Sequence, residues 1–335
     1  VNNAVLRIVL LVPIVLAAAG LSLLVGGTEL STRDILAALA HPHGSGVSDT
    51  IVWQLRGPRI CIAATVGASL ALCGAMLQGL LRNPLIDPYL TGVSAGAAAA
   101  IAIAILAGIA APATPAIGFV AGLAAALLVA ALARRGSGID SNRLILAGVS
   151  ISTLFAAVIT LAIVRAQSSD YAGTIVAWLA GSMAGRDWHD LAVAAPYAAT
   201  GALLALWAVA PLNALRIGEL RARAVGVDVD RAQWVILAGS SLLAASSVVL
   251  AGLVGFVGLI VPHIARRIVG SDARVMLPAC AMIGASLCML ADAICRWIVA
   301  PAELPIGVLL AFIGVPAFLY LYLHPVRSFT TGSDR

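Results

Sequence analysis

Asp292 and Arg296 stand four residues apart in an apolar run, a spacing that lets a carboxylate and a guanidinium pair on one helix face. Arg56 and Arg59 precede another apolar run, within Gln54-Leu55-Arg56-Gly57-Pro58-Arg59. They read equally as cations that snorkel to an interface and as a patch for an acidic partner. His263 follows Pro262. An imidazole there is a proton carrier or a packing group beside a proline kink. Cysteines 61, 73, 280, 288 and 295 form no C-x-x-C pair and read as small buried hydrophobes rather than metal ligands or disulfides. The 20 basic residues are all arginine. Having no lysine excludes a Walker A phosphate loop, a Schiff base and a lysine general base. With no metal cluster, nucleophile elbow or paired carboxylates, the residues give no support to an enzyme.

The elements that position these groups follow from composition. Of 335 residues, 61% are hydrophobic and 10% charged, against about 45–50% and 25% in soluble domains. The chain is too apolar for a soluble domain and too varied for a fibrous or disordered one. A spanning helix needs about 20 mainly apolar residues. Breaks at charges, Pro and Gly predict about ten, at 5–26, 58–81, 91–110, 114–133, 144–165, 190–210, 232–253, 256–269, 275–296 and 305–324. The expected fold is an all-α polytopic membrane bundle in one domain, 1–335. The first run, with Arg7 ahead and Ala17-Ala18-Ala19-Gly20 at its end, also has the form of a signal peptide; its length favours a span. The stretch 171–185 is too short to cross and reads as a half-helix whose backbone must be covered by protein or a wet path.

Placing the N-terminus in the cytoplasm puts 14 arginines on the inner side, including Arg327 and Arg335, and 6 on the outer: Arg33, Arg56, Arg59, Arg165, Arg186 and Arg296. That bias sets the orientation, with both termini cytoplasmic. Gly92-x-x-x-Gly96 and Gly252, Gly255 and Gly258 predict close helix crossings. Pro84 and Pro88 break the helix in Arg82-Asn83-Pro84-Leu85-Ile86-Asp87-Pro88, as a rigid turn or part of a constriction. The longest inner loop, 211–231, can set Leu215, Leu220, Ala224 and Val225 on one helical face among Arg216, Arg221 and Arg223. It reads as a solvated basic loop or as an amphipathic helix for another protein's groove.

Together, R-x-P-R before the second span, Q-x-x-x-R-N-P-L-x-x-P-x-x-x-G-V-S-x-G-A, L-N-A-L-x-x-G-E, G-F-V-G-L-I-V-P-H-I-x-R and E-L-P-I-G-V resemble the FecCD/BtuC-type permease subunits of type II ABC importers. The resemblance runs from about residue 50 to 324. It implies a BtuC-like bundle in the bacterial inner membrane, paired with a second permease subunit as a homodimer or with a close paralogue. Two ATPase subunits that use ATP and Mg and a periplasmic substrate-binding protein are the other partners. It implies no cofactor and no nucleic acid on this chain. The cargo would be a ferric siderophore or haem, with cobalamin as the alternative.

By the same resemblance, Arg56, Arg59 and Arg296 receive acidic residues of the binding protein. Asn83 and Leu85 form a cytoplasmic gate, with Ser141 and Asn142 as a second part. Leu215, Gly218, Glu219, Ala222, Val225 and Gly226 couple to the ATPase. Gly57 stands where leucine is common in the family and should loosen the local helix start. The competing class, an ion-coupled secondary transporter, would want ionisable groups at mid-membrane; Asp292 and His263 are the candidates.

Overall fold

The computed structural model describes residues 2–26, 30–41, 44, 46–109, 113–136, 138–166, 169–300 and 302–323. Arg327 and Arg335 lie outside them. In chain order the helices are α1 (Asn2–Val9), α2 (Leu11–Leu24), α3 (Thr32–Ala40), α4 (Val47–Thr50), α5 (Gly57–Leu81), α6 (Val93–Leu106), α7 (Thr114–Ala133), α8 (Ser141–Arg165), α9 (Ser169–Leu179), α10 (Trp188–Trp207), α11 (Val209–Leu215), α12 (Glu219–Ala224), α13 (Val229–Ala251), α14 (Val257–Val269), α15 (Ala273–Ile298) and α16 (Ile306–Leu323). A two-residue ribbon pairs Arg134–Arg135 (β1) with Gly138–Ile139 (β2). Each expected span coincides with a helix, the first with the pair α1 and α2. Seven described helical stretches are long and apolar enough to cross a membrane, and Val93–Leu106 and Ile306–Tyr320 are shorter apolar ones.

Helix α5 is the central post, buried along most of its length and packed on α13, α14 and α15. Close approach needs side chains removed from the crossings. A Cβ on Gly67 would stand 2.0 Å from the Gly284 carbonyl of α15, and one on Gly74 would stand 1.9 Å from the Gly258 carbonyl of α14. Gly96 meets Ala125 of α7 in the same way, at 2.4 Å. Buried Cys73, Cys280 and Cys288 fill the core around α5 as free thiols.

The helix entering the membrane as α5 begins earlier than position 58. The stretch Val47–Leu81 is continuous, and Ile51–Arg56 forms a wide, i→i+5 turn within it. There the Gly57 N–H donates to the Val52 carbonyl. Pro58 has no N–H to give the next carbonyl, Trp53, and the indole of Trp188 donates to it instead, at 2.7 Å. A Cβ on Gly57 would press on Trp188 at 3.3 Å. The glycine therefore makes room for that indole, and the helix widens by one residue rather than fraying.

The half-helix expected at 171–185 is α9. Its last turn is covered: a Cβ on Gly252 would lie 2.4 Å from the Trp178 carbonyl, and one on Gly307 would lie 2.4 Å from that of Ala180. Three interruptions of regular backbone thus stack on one another and keep their polar groups out of lipid.

Candidate functional sites at the two ends of the bundle

Residues 82–92, 134–136, 138–140, 209–231 and 269–273 gather at one end of the bundle, which is rich in arginine; residues 25–26, 30–41, 46–57 and 302–305 lie at the other. At that other end α2 stops at Leu24, leaving its last carbonyls without helical partners. Two guanidiniums satisfy them. Arg56 Nη1 donates to the Leu23 and Leu24 carbonyls at 2.6 and 3.3 Å. Arg296 donates from Nη2 to the Ser22 carbonyl at 2.9 Å and from Nη1 to the Val25 carbonyl at 2.6 Å. Cations are favoured at a helix C-terminus.

Asp292 is buried at the centre of this cluster. It takes Arg296 Nε at 3.0 Å and Arg59 Nε and Nη2 each at 2.9 Å. The outer Nη1 of Arg59 reaches Glu303 at 2.7 Å. The expected Asp292–Arg296 pair is present. The free cationic patch expected of Arg56, Arg59 and Arg296 is not: Arg56 and Arg296 are 4% and 5% exposed and are spent inside the chain. The signal for this was available in the carbonyls that a helix ending near residue 24 must leave open. The helix α3 between the first two spans also went unforeseen, although Ser31 caps it by accepting from the Asp34 N–H, a recognisable start.

At the arginine-rich end, Gln78 of the Q-x-x-x-R-N-P-L motif is a buried hub. Its Nε2 donates to the carbonyls of Gly258 at 3.0 Å and Ile86 at 3.3 Å, and its Oε1 accepts from Arg266. Asn83 turns the chain by accepting the Leu85 N–H at 2.9 Å; Asn83 is half-buried and Leu85 exposed. Asp140 caps α8 through the Arg143 N–H, so Ser141 and Asn142 are its first helical residues. Ile86 and Thr91 of the turn share a crevice with Leu144 and Ile145 of α8. The two candidate gate pairs are therefore next to contacting residues.

The loop 211–231 is not one amphipathic helix. Gly218, at φ +105, separates α11 from α12. Leu215 and Ala222 are buried and anchor the two helices to the body; Ile217, Leu220 and Val225 project. Gly226 is exposed at φ +85, and Glu219 pairs with Arg82 at 3.3 Å. Asn213 holds this unit to α15, donating to Asp272 at 2.8 Å and accepting the Ala273 N–H at 2.9 Å. The Arg274 N–H and the Asn213 amide together keep the Asp272 carboxyl below the usual range. No group of three or more His, Cys, Asp or Glu fit to hold a metal occurs among the described residues.

A long-helix bundle with broken helices inside it, apolar outer faces and a small helix projecting from one end is the architecture of a polytopic membrane protein. The profile of the FecCD transport family matches residues 14–324, and the chain belongs to that family of ABC importer permeases. It is 41% identical over 292 residues to the cobalamin import system permease protein BtuC of Halobacterium salinarum, covering 85% of this chain and 77% of that one. It is 34% identical over 328 residues to the Fe(3+)-citrate import system permease protein YfmE of Bacillus subtilis, covering 97% of each. A solved ABC transporter described as of metal-chelate type, in an inward-facing conformation, superposes with a TM-score of 0.85 at 32% identity, covering 95% of this chain and 99% of that one.

Proposed function

We propose that this permease imports a bulky metal chelate, a corrinoid in the first reading and a ferric chelate (siderophore or haem) in the second. The observation that carries it is α8, a long helix left largely uncovered, whose exposed face aligns Leu146, Ser150, Thr153, Ala157, Thr160 and Val164 at helical spacing. Thr153 and Thr160 donate their hydroxyls to the carbonyls of Val149 and Ala156, each at 2.9 Å. The stripe is uncharged, and both of its threonine hydroxyls are satisfied within the helix. A large cargo meets a surface that wets it but does not hold it. The corrinoid comes first because relatives named for cobalamin reach 41% identity, against 34–35% for those named for ferric citrate.

In this reading a second copy of the chain closes the path opposite α8, and the membrane is the bacterial inner membrane. The arginine-rich end faces the cytoplasm, with both termini on that side. No lysine is available for a phosphate loop, so separate ATPase subunits, using ATP and Mg, supply the energy. They dock on Leu220, Val225 and the edge formed by Gly218, Glu219 and Gly226, while Leu215 and Ala222 act as anchors. The Arg82–Glu219 contact joins this edge to the turn holding Asn83 and Leu85, which gate the path with Ser141 and Asn142. At the outer end Arg59 receives a carboxylate of the binding protein, Arg296 sets its position through Asp292, and Arg56 supports the cluster by holding the end of α2.

The reading is tested by reconstituting the permease with its ATPase and binding protein and adding each cargo. Stimulation of ATP hydrolysis by cobalamin but not by ferric citrate, a ferric siderophore or haem supports the first reading, the reverse the second. Uptake driven by a proton gradient without ATP overturns both.

A further inference from the structure

A cavity of about 470 Å³ opens at the arginine-rich end, between the end of α5, α11 and the start of α15. Three guanidiniums line it, Arg82, Arg216 and Arg266, with the polar groups of Gln78, Asn213 and Ser271. No carboxylate is among the lining residues. Arg266 is bonded to the Gln78 amide oxygen and Arg216 Nη1 to the Ser271 carbonyl at 2.5 Å. Both partners are neutral. Of the acids on the rim, Glu219 pairs with Arg82 itself across 3.3 Å and Asp272 bonds the Asn213 amide and the Arg274 N–H, so Arg216 and Arg266 are the guanidiniums bonded only to neutral oxygens. Positive charge gathered in a half-buried pocket is costly unless an anion shares it.

Arg82 is held at φ +50 as the residue ending α5, a left-handed conformation uncommon for a residue with a Cβ. The remaining walls, Ala75, Leu212, Ile217 and Met276, are apolar.

We propose that this cavity binds a phosphate group, chelated by Arg82, Arg216 and Arg266, with an apolar chain or moiety against Leu212, Ile217 and Met276. Guanidinium forks match phosphate oxygens in pairs, and the mixed walls match an anionic phospholipid headgroup with its acyl chains leaving along α11 and α15. A free phosphate ester offers the same head. An occupant bound to Arg82 competes with Glu219 and so loosens the projecting helix α12 from the gate turn. Only the side of the membrane assigned to the site rests on the orientation proposed above.

The test uses the delipidated full-length permease in neutral detergent, where orientation plays no part. Native mass spectrometry follows titration with phosphatidylglycerol, phosphatidylcholine and inorganic phosphate. Phosphatidylglycerol should be preferred over phosphatidylcholine. Arg216→Gln and Arg266→Gln should each weaken it about fivefold, the loss expected for one arginine near a lipid phosphate, while Arg134→Gln, on the ribbon away from the cavity, should not. Arg266 is largely buried, so the exposed Arg216 keeps the test valid if the Arg266 variant fails to fold. Competition by millimolar inorganic phosphate would identify a soluble ester as the ligand class, and lipid binding that phosphate does not displace would identify the headgroup. Equal binding of the two lipids with no phosphate binding, or unchanged lipid binding in the folded Arg216 variant, overturns the proposal.

Discussion

The side-chain amide of Gln78 donates at 3.0 Å to the carbonyl of Gly258, the acceptor left open four residues before Pro262 in α14. A proline inside a helix lacks the amide its i−4 carbonyl needs, and in lipid that carbonyl cannot turn to water. Gln78→Leu should cost about 1–3 kcal/mol by leaving Gly258 unpaired. In a Pro262→Ala background the new N–H serves that carbonyl, and the same substitution should cost less. A double-mutant cycle of unfolding in detergent reads the coupling; additive losses would show that Gln78 acts elsewhere.

Trp188 stands to Pro58 as Gln78 does to Pro262, donating to the Trp53 carbonyl at 2.7 Å. Trp188→Phe keeps the ring and removes the donor. It should lower stability by about 1 kcal/mol, while Gly57→Leu, which collides with the indole, should lower it more. A Gly57→Leu variant as stable as the parent would refute the role given to that glycine.

These two prolines show what was legible in the sequence. Helix positions and the break at 82–92 followed from apolar run length and punctuation, because lipid imposes a length on every crossing. The partners were hidden. Gln78 and Gly258 are 180 residues apart, and no local pattern marks an amide as another helix's missing donor. The same limit hid the fate of Arg56 and Arg296. Their charge was visible, but the carbonyls of Ser22 to Val25 that absorb it belong to a distant segment. Leu215 and Ala222 likewise carried the right residue types for a docking face, and the sequence did not show that Gly218 turns them inward.

Asp292 is 1% exposed and meets two arginines. Asp292→Ala leaves Arg59 and Arg296 buried with their shared counter-ion gone, and should destabilise the chain by about 3–5 kcal/mol. Loss of one arginine instead, as in Arg296→Gln, should also uncap α2, and protease sensitivity should rise near residue 25. Normal thermal stability of Asp292→Ala in detergent would show that the cluster is not structural.

Glu303 holds the outer nitrogen of Arg59, and its side chain is 35% exposed. On the proposed docking at Arg59, an incoming carboxylate must displace it. Glu303→Gln should therefore strengthen capture of the cognate binding protein about two- to fivefold, in line with the worth of one partly exposed ion pair. Arg59→Gln should weaken it and flatten its salt dependence. Affinities measured at low and high salt decide the matter; a weaker complex with Glu303→Gln would make Glu303 a docking residue rather than an internal competitor.

In the proposed coupling, the Arg82–Glu219 pair is the contact through which α12 pulls on the turn holding Asn83 and Leu85. Both side chains are partly exposed, 45% and 39%, so the pair itself contributes at most about 1 kcal/mol to stability. On the proposed coupling its effect on transport is much larger, because the projecting helix would act on Asn83 through it. Glu219→Arg should leave the folded permease and its thermal stability nearly unchanged. It should uncouple ATP hydrolysis from uptake in the reconstituted complex. The swap Arg82→Glu with Glu219→Arg restores an attractive pair across the same gap and should recover part of the uptake, whereas Arg82→Glu alone should not. If the double swap is as uncoupled as either single variant, force passes instead through the Asn213 anchor between α11 and α15, and Asn213→Ala, which frees that end, becomes the variant that breaks coupling.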